Sequence, residues 1–169
     1  MKRKLALVAL LASSAMGLAH ADAVEDGIAK YREMLQDGNP AELFEMNGEE
    51  LWTTARGPKK ATMEKCDLGK GPGVVKGAFV ELPRFFADTG RVQDLESRII
   101  SCMAALQGFD EAELNKTGYA KGEQANVRDM ATYVAGASRE LKIATPQGHQ
   151  KEREMYEVGK RLFFMRSGP

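Results

Sequence analysis

The sequence predicts a mainly α-helical protein that contains one domain and the beginning of a second. Apolar residues recur three or four positions apart in several segments, which is the spacing of one face of a helix. In addition, the segment GEELWTTARGP at 48–58 returns as GKRLFFMRSGP at 159–169, at a constant offset of 111 residues. The glycine, the leucine, the aromatic residue after it and the final Gly-Pro pair coincide. We interpret the second segment as the start of a second copy.

Residues 1–21 have the three parts of a secretory signal peptide. Lys2, Arg3 and Lys4 form a basic start, residues 5–18 are apolar and uncharged, and Ala19-His20-Ala21 fits an A-x-A cleavage site. The apolar stretch is too short to span a bilayer comfortably, although an uncleaved N-terminal anchor is the alternative. We therefore predict an exported protein whose fold begins at residue 22.

The charge of the exported part gives no reason to propose nucleic-acid binding. The leader carries three of the 24 basic residues, so 21 basic residues remain against 24 acidic ones, a net charge of −3. Nucleic-acid-binding domains are usually basic. No apolar run after the leader is long enough to cross a membrane.

Helices are predicted over 23–36, 48–56, 94–107, 123–141 and 150–166. In 94–107, Asp94 is placed to cap the start of the helix and Gly108 to end it. The apolar stripe of this helix is formed by Leu95, Ile99, Cys102, Met103 and Leu106. Cys102 is therefore predicted to lie on a buried helix face.

Two further helices each present an apolar face. In 123–141 the face is formed by Val127, Met130, Ala131, Val134 and Leu141, and in 150–166 by Met155, Leu162 and Phe163, beside Gly159. A glycine inside a helix costs about 1 kcal/mol relative to alanine, so it needs a reason. We expect close helix–helix approach at both Gly48 and Gly159. For Gly48 the alternative is that it merely begins a helix.

The stretch from Gly57 to Thr89 is predicted to be a long ordered loop. It is rich in glycine and proline, but apolar residues are interleaved throughout. Loops of this length are uncommon unless they wrap around something or are held down. Cys66 lies inside the loop, and a bond from it to the 94–107 helix would pin the loop.

Cys66 and Cys102 are the two cysteines of the chain. An oxidising compartment favours pairing them, and closing the intervening chain would stabilise the fold by roughly 3–4 kcal/mol. Free thiols and a metal site are the alternatives. A metal site is disfavoured because His149 is the single histidine after the leader and no ligands cluster around it.

The first copy of the repeat is typical of the start of a c-type cytochrome. In such proteins a helix ending G-x-x-L-W or G-x-x-L-F is followed by C-x-x-C-H, whose thiols attach haem and whose histidine ligates iron. Here Cys66 stands at the first thiol, Gly69 at the second and Lys70 at the histidine. C-D-L-G-K cannot hold a haem, and the second copy ends before any cysteine.

The segments KCDLGKGPGVVKGAFVELPRFF, ADTGRVQDLESRIISCMAALQGF and MYEVGKRLFFMRSGP resemble the SoxA family over about residues 40–169. SoxA is the larger cytochrome subunit of the SoxAX complex of bacterial thiosulfate oxidation. The resemblance implies two cytochrome c domains related by duplication. It also implies the single-haem type, in which Cys66 and Cys102 form a disulfide where two-haem members use the position of Cys102 to ligate iron.

The resemblance implies a fold class and a domain division. We expect a haemless cytochrome c-like domain over 22–145, followed over 146–169 by the first helix of a second cytochrome c-like domain. The chain would be truncated before the C-terminal haem motif. The haem c of the intact protein, and the cysteine that ligates its iron, would follow Pro169. No residue of this chain is then predicted to be catalytic, to bind the cofactor or to ligate a metal.

The resemblance also implies a function. A periplasmic L-cysteine S-thiosulfotransferase subunit would act with SoxX to join thiosulfate to a cysteine of the carrier SoxYZ, with release of two electrons. This chain would be the scaffold part and inactive alone. The alternatives are a secreted helical protein-interaction module without catalytic role, and a thiol redox protein using an accessible Cys66–Cys102 pair.

Several side chains have two interpretations. His149 is either a distal ligand or proton shuttle, or a solvated linker residue, and Lys70 either approaches a substrate anion or carrier, or is a solvated loop lysine. Arg84 and Arg91 are either an anion or partner site, or ordinary surface charge. We expect Trp52, Phe79, Phe85 and Phe86 to fill the space that a haem would take, and the face with Leu162, Phe163, Phe164 and Met165 to be exposed.

Overall fold

The computed structural model describes residues 24–35, 38–116, 118 and 121–165. The chain divides into two compact units, residues 1–40 and residues 41–169. The predicted signal peptide, residues 1–21, lies outside the described residues. Within the described ranges, no helix is both long and apolar enough to cross a membrane.

In the first unit, residues 24–35 form a helix, α1. The prediction over 23–36 agrees with this helix, although residues 23 and 36 are outside the described part. Every residue of α1 is exposed. Its large apolar side chains are Val24, Ile28, Tyr31, Met34 and Leu35.

Over its described residues, the second unit forms five α-helices and one β-hairpin. The helices are α2 (Ala41–Thr53), α3 (Leu95–Cys102), α4 (Glu111–Lys116), α5 (Glu123–Gly136) and α6 (Gln150–Phe164). The hairpin pairs β1 (Arg84–Phe86) with β2 (Arg91–Gln93) in antiparallel register, Phe85 facing Val92. The fold is therefore mainly α, as predicted.

The hydrophobic core of this unit is built around α2, α3 and α5. Its innermost side chains are fully enclosed and come from the helices and from the loop between α2 and β1: Met63, Cys66, Leu68, Ile99, Met103, Val127, Met130 and Val134. The loop thus contributes three of these eight core side chains, Met63, Cys66 and Leu68. Loops of this length are usually either functional or disordered. Burial of its apolar side chains explains why this one is ordered.

Helix α3 begins where the sequence predicts, and the helical segment that it forms with the π-helical turn after it ends where the sequence predicts. The Asp94 carboxylate accepts the backbone amide of Ser97 at 2.9 Å, which satisfies one of the free N–H groups of the first turn. The last turn, Met103–Gln107, continues as a π-helix and ends at Gly108 in a left-handed conformation (φ 79°). Glycine adopts this conformation without strain.

The boundaries of three helices differ from the prediction, and in α2 both ends do, since it ends at Thr53 rather than at residue 56. Helix α2 begins at Ala41 rather than at residue 48, since Gly48 is an interior residue of the helix and not its start. Helix α5 ends at Gly136, so Leu141 lies outside it and is exposed, contrary to the predicted apolar face. Helix α6 ends at Phe164, and residue 166 of the predicted helix is outside the described part.

The loop from Gly57 to Leu82 is held by backbone contacts. Arg56 and Ala61 form an antiparallel bridge, as do Asp67 and Pro72, and a short 3-10 turn covers Phe79–Glu81. The prediction of an ordered, pinned loop is confirmed. The helix α4 and the hairpin were not predicted.

Candidate functional site

Helices α2 and α5 cross at Gly48. A Cβ on Gly48 would lie 2.1 Å from the carbonyl oxygen of Asp129, so only glycine permits this approach. One turn later, Trp52 is buried and its ring centroid lies 6.1 Å from that of Tyr133. Burial raises the pKa of the Tyr133 hydroxyl, and the nearby Glu49 carboxylate raises it further. The predicted close approach is confirmed at Gly48.

Cys66 and Cys102 are joined by a disulfide whose Cα atoms are 5.6 Å apart. Both residues are buried, at 1% and 5% exposure, in the centre of the core. The bond links the loop after α2 to the last turn of α3, as expected for a bond that pins the loop. Since the sulfur atoms are enclosed, a solvent reagent has no direct path to them, which disfavours the thiol redox alternative.

The residues after Cys66 form a tight turn. The Asp67 side chain accepts the amides of Gly69 and Gly71, at 2.7 and 3.0 Å. Gly69 has a positive φ of 98°, and a Cβ there would lie 2.3 Å from the Arg84 side chain. Lys70 forms an ion pair with Glu81 at 2.5 Å. Lys70 is thus a paired lysine of the loop.

These residues do not fit a covalently attached haem. The sulfur of Cys66 is used in the disulfide, the second thiol position is a glycine packed under Arg84, and the position of the ligating histidine is a lysine paired with Glu81. Covalent haem attachment needs two thiols and an axial ligand.

The four aromatic residues predicted to fill the haem space separate into two groups. Trp52 and Phe86 are buried in the core, at 3% and 5% exposure. Phe79 is exposed, and the ring of Phe85 is stacked on His149 at the surface of the hairpin. The prediction is therefore wrong for Phe79 and Phe85, because the strand alternation of β1 turns Phe85 away from Phe86.

Arg98 is a buried cation that the sequence analysis did not identify. Its guanidinium donates to both Asp88 carboxylate oxygens, at 3.0 and 2.8 Å, and to the Asp67 carbonyl at 2.7 Å. It also lies 4.0 Å from the centroid of the Phe86 ring. Arg98 thereby connects α3 to the loop and to the hairpin turn. No local sequence pattern distinguished Arg98 from an ordinary solvated charge on a helix.

Arg84 and Arg91 do not form a joint anion site. Arg84 donates to the Gly69 carbonyl at 2.6 Å and lies 3.4 Å from Glu81. Arg91 forms an ion pair with Glu111 at 2.9 Å. Each guanidinium therefore has its own acidic partner, and the alternative of structural surface charge is favoured.

Helix α6 meets the hairpin at its first turn. The buried Glu152 carboxylate accepts the amides of Phe85 and His149, each at 2.8 Å. Burial raises the pKa of Glu152, but these two hydrogen bonds and the positive charges of Arg84 and His149 outweigh burial and lower it overall. His149 is exposed, as expected for a solvated residue, and its ring is in addition stacked on that of Phe85, 3.7 Å away at an angle of 3°.

Beyond its first turn, α6 is exposed. Leu162 is 61% exposed and Phe163 82% exposed, as predicted. Gly159 differs from Gly48: no atom of the described residues lies within 4 Å of a Cβ built there. The predicted helix–helix approach at Gly159 is therefore wrong for the described part of the chain. A groove of about 830 Å³ runs along this face, between α6, Pro83, Val92 and residues 145–147.

Among the described residues, no three or more histidine, cysteine, aspartate or glutamate side chains are placed to hold a metal ion. The predicted site residues that the structure brings together are Cys66 and Cys102. Gly69 and Lys70 follow Cys66 in the same turn, each contacting a residue of the 81–84 segment.

A first helix that crosses the last helix of the domain at a glycine, followed by a cysteine at the haem-attachment position, defines a cytochrome c-like domain. A sequence profile of the SoxA/TsdA cytochrome c domain matches residues 47–143, more than half of the chain. The chain belongs to this SoxA/TsdA family.

Curated relatives carry the name L-cysteine S-thiosulfotransferase subunit SoxA. The protein of Hydrogenophilus thermoluteolus is 46% identical, and the comparison covers 100% of this chain and 65% of that protein. Two proteins of Hydrogenobacter thermophilus are each 30% identical to this chain. Each comparison covers 76% of this chain, and 47% of one relative and 46% of the other. The chain therefore spans between about half and two thirds of the length of these relatives.

Proposed function

We propose that this chain is the haemless N-terminal part of the cytochrome subunit of a periplasmic thiosulfate-oxidising complex. The observation that carries the proposal is the disulfide between Cys66 and Cys102, which occupies the haem-attachment position within the part of the chain that matches the SoxA/TsdA family. The names of the relatives support the thiosulfotransferase activity for the intact protein.

In the proposed reaction, the intact protein acts with SoxX on thiosulfate and a cysteine thiol of the carrier SoxYZ. One S–S bond forms between the carrier sulfur and the terminal sulfur of thiosulfate. The thiol releases its proton, and two electrons leave through haem. Because 66–70 cannot attach a haem, the residues of this chain take no part in the electron transfer. Their role is to fold as a scaffold and to contact SoxX.

The proposal extends to the helix α6, which would open a second cytochrome c-like domain over 146–169. In the first copy of the repeat, Gly48 and Trp52 are covered by α5. In the second copy, the corresponding Gly159 and Phe163 lie on an exposed face. A helix placed like α5 would cover that face in a second domain of the same fold.

The experiment that tests the proposal is reconstitution. The purified, oxidised chain is titrated with SoxX in a calorimeter, and an exported helical protein of similar charge is the control. Saturable binding to SoxX alone supports the proposed function. If SoxX does not bind, and a fused C-terminal haem domain does not protect α6 from hydrogen exchange, the alternative of an interaction module without catalytic role takes its place.

A further inference from the structure

A single buried carboxylate connects α6 to the rest of the domain. Glu152 is the one buried residue among the fifteen of α6, all of which the structure describes. Its Oε1 accepts the amide of Phe85 in β1, and its Oε2 accepts the amide of His149 at the start of α6. The two oxygens of one side chain therefore hold a strand and a helix end together.

Two further contacts surround this carboxylate. The Phe85 ring is stacked on His149 at 3.7 Å. Lys151 donates to the carbonyl oxygen of Gly90, in the hairpin turn, at 2.6 Å, and its Nζ lies 5.4 Å from the centroid of the Phe85 ring. We call Phe85, His149, Lys151 and Glu152 the clasp. Its members are Phe85 in β1, the N-cap residue His149, and two residues in the first turn of α6.

The segment that precedes the clasp is bonded to the domain on one side and to α6 on the other. Residues 141–148 form neither helix nor strand. The Ala144 amide donates to the Val80 carbonyl at 2.7 Å, and the Arg153 guanidinium of α6 donates to the carbonyl oxygens of Gln147 and Gly148 at 2.9 and 2.8 Å. Along the rest of α6, from Arg153 onward, every described residue is exposed. The direction of the helix is therefore set at its N-terminal end.

We propose that Glu152 is a positioning residue: it locks the clasp and so fixes the direction in which α6 leaves the haemless domain. The proposal deepens the proposed function and rests on it in one respect, that α6 opens the second domain. In that setting, the clasp orients the haem-bearing domain relative to the scaffold. The haemless domain would therefore orient the haem-bearing domain in addition to contacting SoxX.

The test measures the direction of α6 in the full chain. Spin labels are placed at Glu50→Cys on α2 and Arg161→Cys on α6, and the distance distribution is recorded by pulsed electron resonance. Cys66 and Cys102 do not react because they are bonded to each other. We expect one narrow distribution in the labelled parent.

The decisive variant is Glu152→Gln, with Glu157→Gln on the same helix as the matched control. The two backbone amides bond to different oxygens of Glu152. Glutamine keeps one oxygen in this geometry but replaces the other with an NH2 group, which donates and would face a backbone N–H. We expect the distribution to become at least twice as wide in Glu152→Gln and to keep its width in Glu157→Gln. Phe85→Leu, which removes the ring stack, should give an intermediate width.

A purely structural role would give a different result. It would lower the thermal unfolding midpoint of Glu152→Gln while the distribution stays narrow at temperatures where the core is folded, and that result would overturn the proposal. A broad distribution in the labelled parent would overturn it as well. Because no partner is present, failure of the clasp is distinguishable from failure of SoxX binding, which tests the proposed function.

Discussion

Gly48 and Gly159 occupy the same position in the two copies of the repeat but meet different surroundings. The backbone of α5 lies against Gly48, whereas no described atom lies near a Cβ at Gly159. One glycine is required by packing within the domain. At Gly159, no contact within the described part of the chain offsets the conformational cost of a glycine inside a helix.

We predict opposite effects from the same substitution at these two residues. Gly48→Ala should lower the free energy of unfolding by about 1–3 kcal/mol, since its Cβ would overlap the Asp129 carbonyl and α2 would have to move. Gly159→Ala should increase the stability of α6, by about 1 kcal/mol at most. Urea unfolding followed by circular dichroism measures both. Equal effects at the two positions would contradict the assigned packing.

Glu152 gives the clasp a pH dependence whose sign follows from its lowered pKa. A carboxyl whose pKa is lower in the folded state contributes its full stabilisation above its pKa in the unfolded state, about 4.3. That contribution is lost as the pH falls through the folded-state value. The charged or titratable groups that act on the carboxylate are Arg84, in β1, and His149, the N-cap residue of α6.

We therefore expect the protection of the Phe85 amide from hydrogen exchange to be constant between about pH 5 and 7 and to fall below about pH 4. After correction for intrinsic exchange, the Glu152→Gln variant should lack this acid-dependent loss. An identical loss in wild type and variant would assign it to a different carboxyl group.

For individual residues, the sequence predicted the surroundings of those residue types that occur in few environments. Two cysteines in a chain predicted to be exported, and a glycine that recurs before a leucine–aromatic pair in both copies of the repeat, have few alternatives, so the pairing of Cys66 with Cys102 and the close approach at Gly48 could be predicted. Glu152 and Arg98 could not, because a charged residue on a helix is usually solvated and no local pattern reveals a buried partner. The stacking of His149 on Phe85 depends on residues far apart in the sequence.

The disulfide is the bond between two elements, the loop after α2 and the helix α3. Closing 36 residues lowers the conformational entropy of the unfolded chain. We predict that the double variant Cys66→Ala, Cys102→Ala loses about 3–4 kcal/mol of unfolding free energy. Denaturant unfolding of oxidised wild type and variant, each without reductant, measures the difference.

The control for this prediction is the reduced wild type, whose stability should resemble that of the double variant. Loss of less than about 1 kcal/mol would mean that the enclosed packing of Met63 and Leu68 holds the loop without the bond. In that case the disulfide would not be the element that pins the loop.

Helix positions were predictable where the apolar period and the caps agree, as in α3. The predictions of helix boundaries were wrong where tertiary contacts outweigh local sequence signals. Gly48 looks like a helix start in the sequence, yet contact with Asp129 places it inside α2. Helix α5 stops early because the chain turns after Gly136, where Glu140 adopts a positive φ of 65°. The strands of the hairpin are three residues each, too short for a period-2 pattern.

At the scale of the molecule, the end of α6 is a described segment in which four consecutive apolar side chains are exposed. Leu162, Phe163, Phe164 and Met165 are all more than 60% exposed. Contiguous apolar surface of this kind promotes association. We predict that the chain self-associates at high concentration, and that Phe163→Glu reduces this association several-fold.

Light scattering against concentration measures this association. The matched control is Phe79→Glu, which changes another exposed phenylalanine at a distance from α6 in the sequence. An equal reduction by both variants would indicate that added negative charge, rather than loss of the α6 face, is responsible. No concentration dependence in wild type would contradict the prediction directly.

The position of the disulfide also bears on how the domain matures. In a cytochrome, the loop after the first helix is tied down when haem is delivered and attached, so completion of the fold waits for a cofactor. Here the same loop is tied by oxidation of two thiols, Cys66 and Cys102. We therefore expect completion of this domain to depend on formation of the disulfide rather than on attachment of haem. The reduced chain, in which Cys66 and Cys102 are not linked, should be the less stable form.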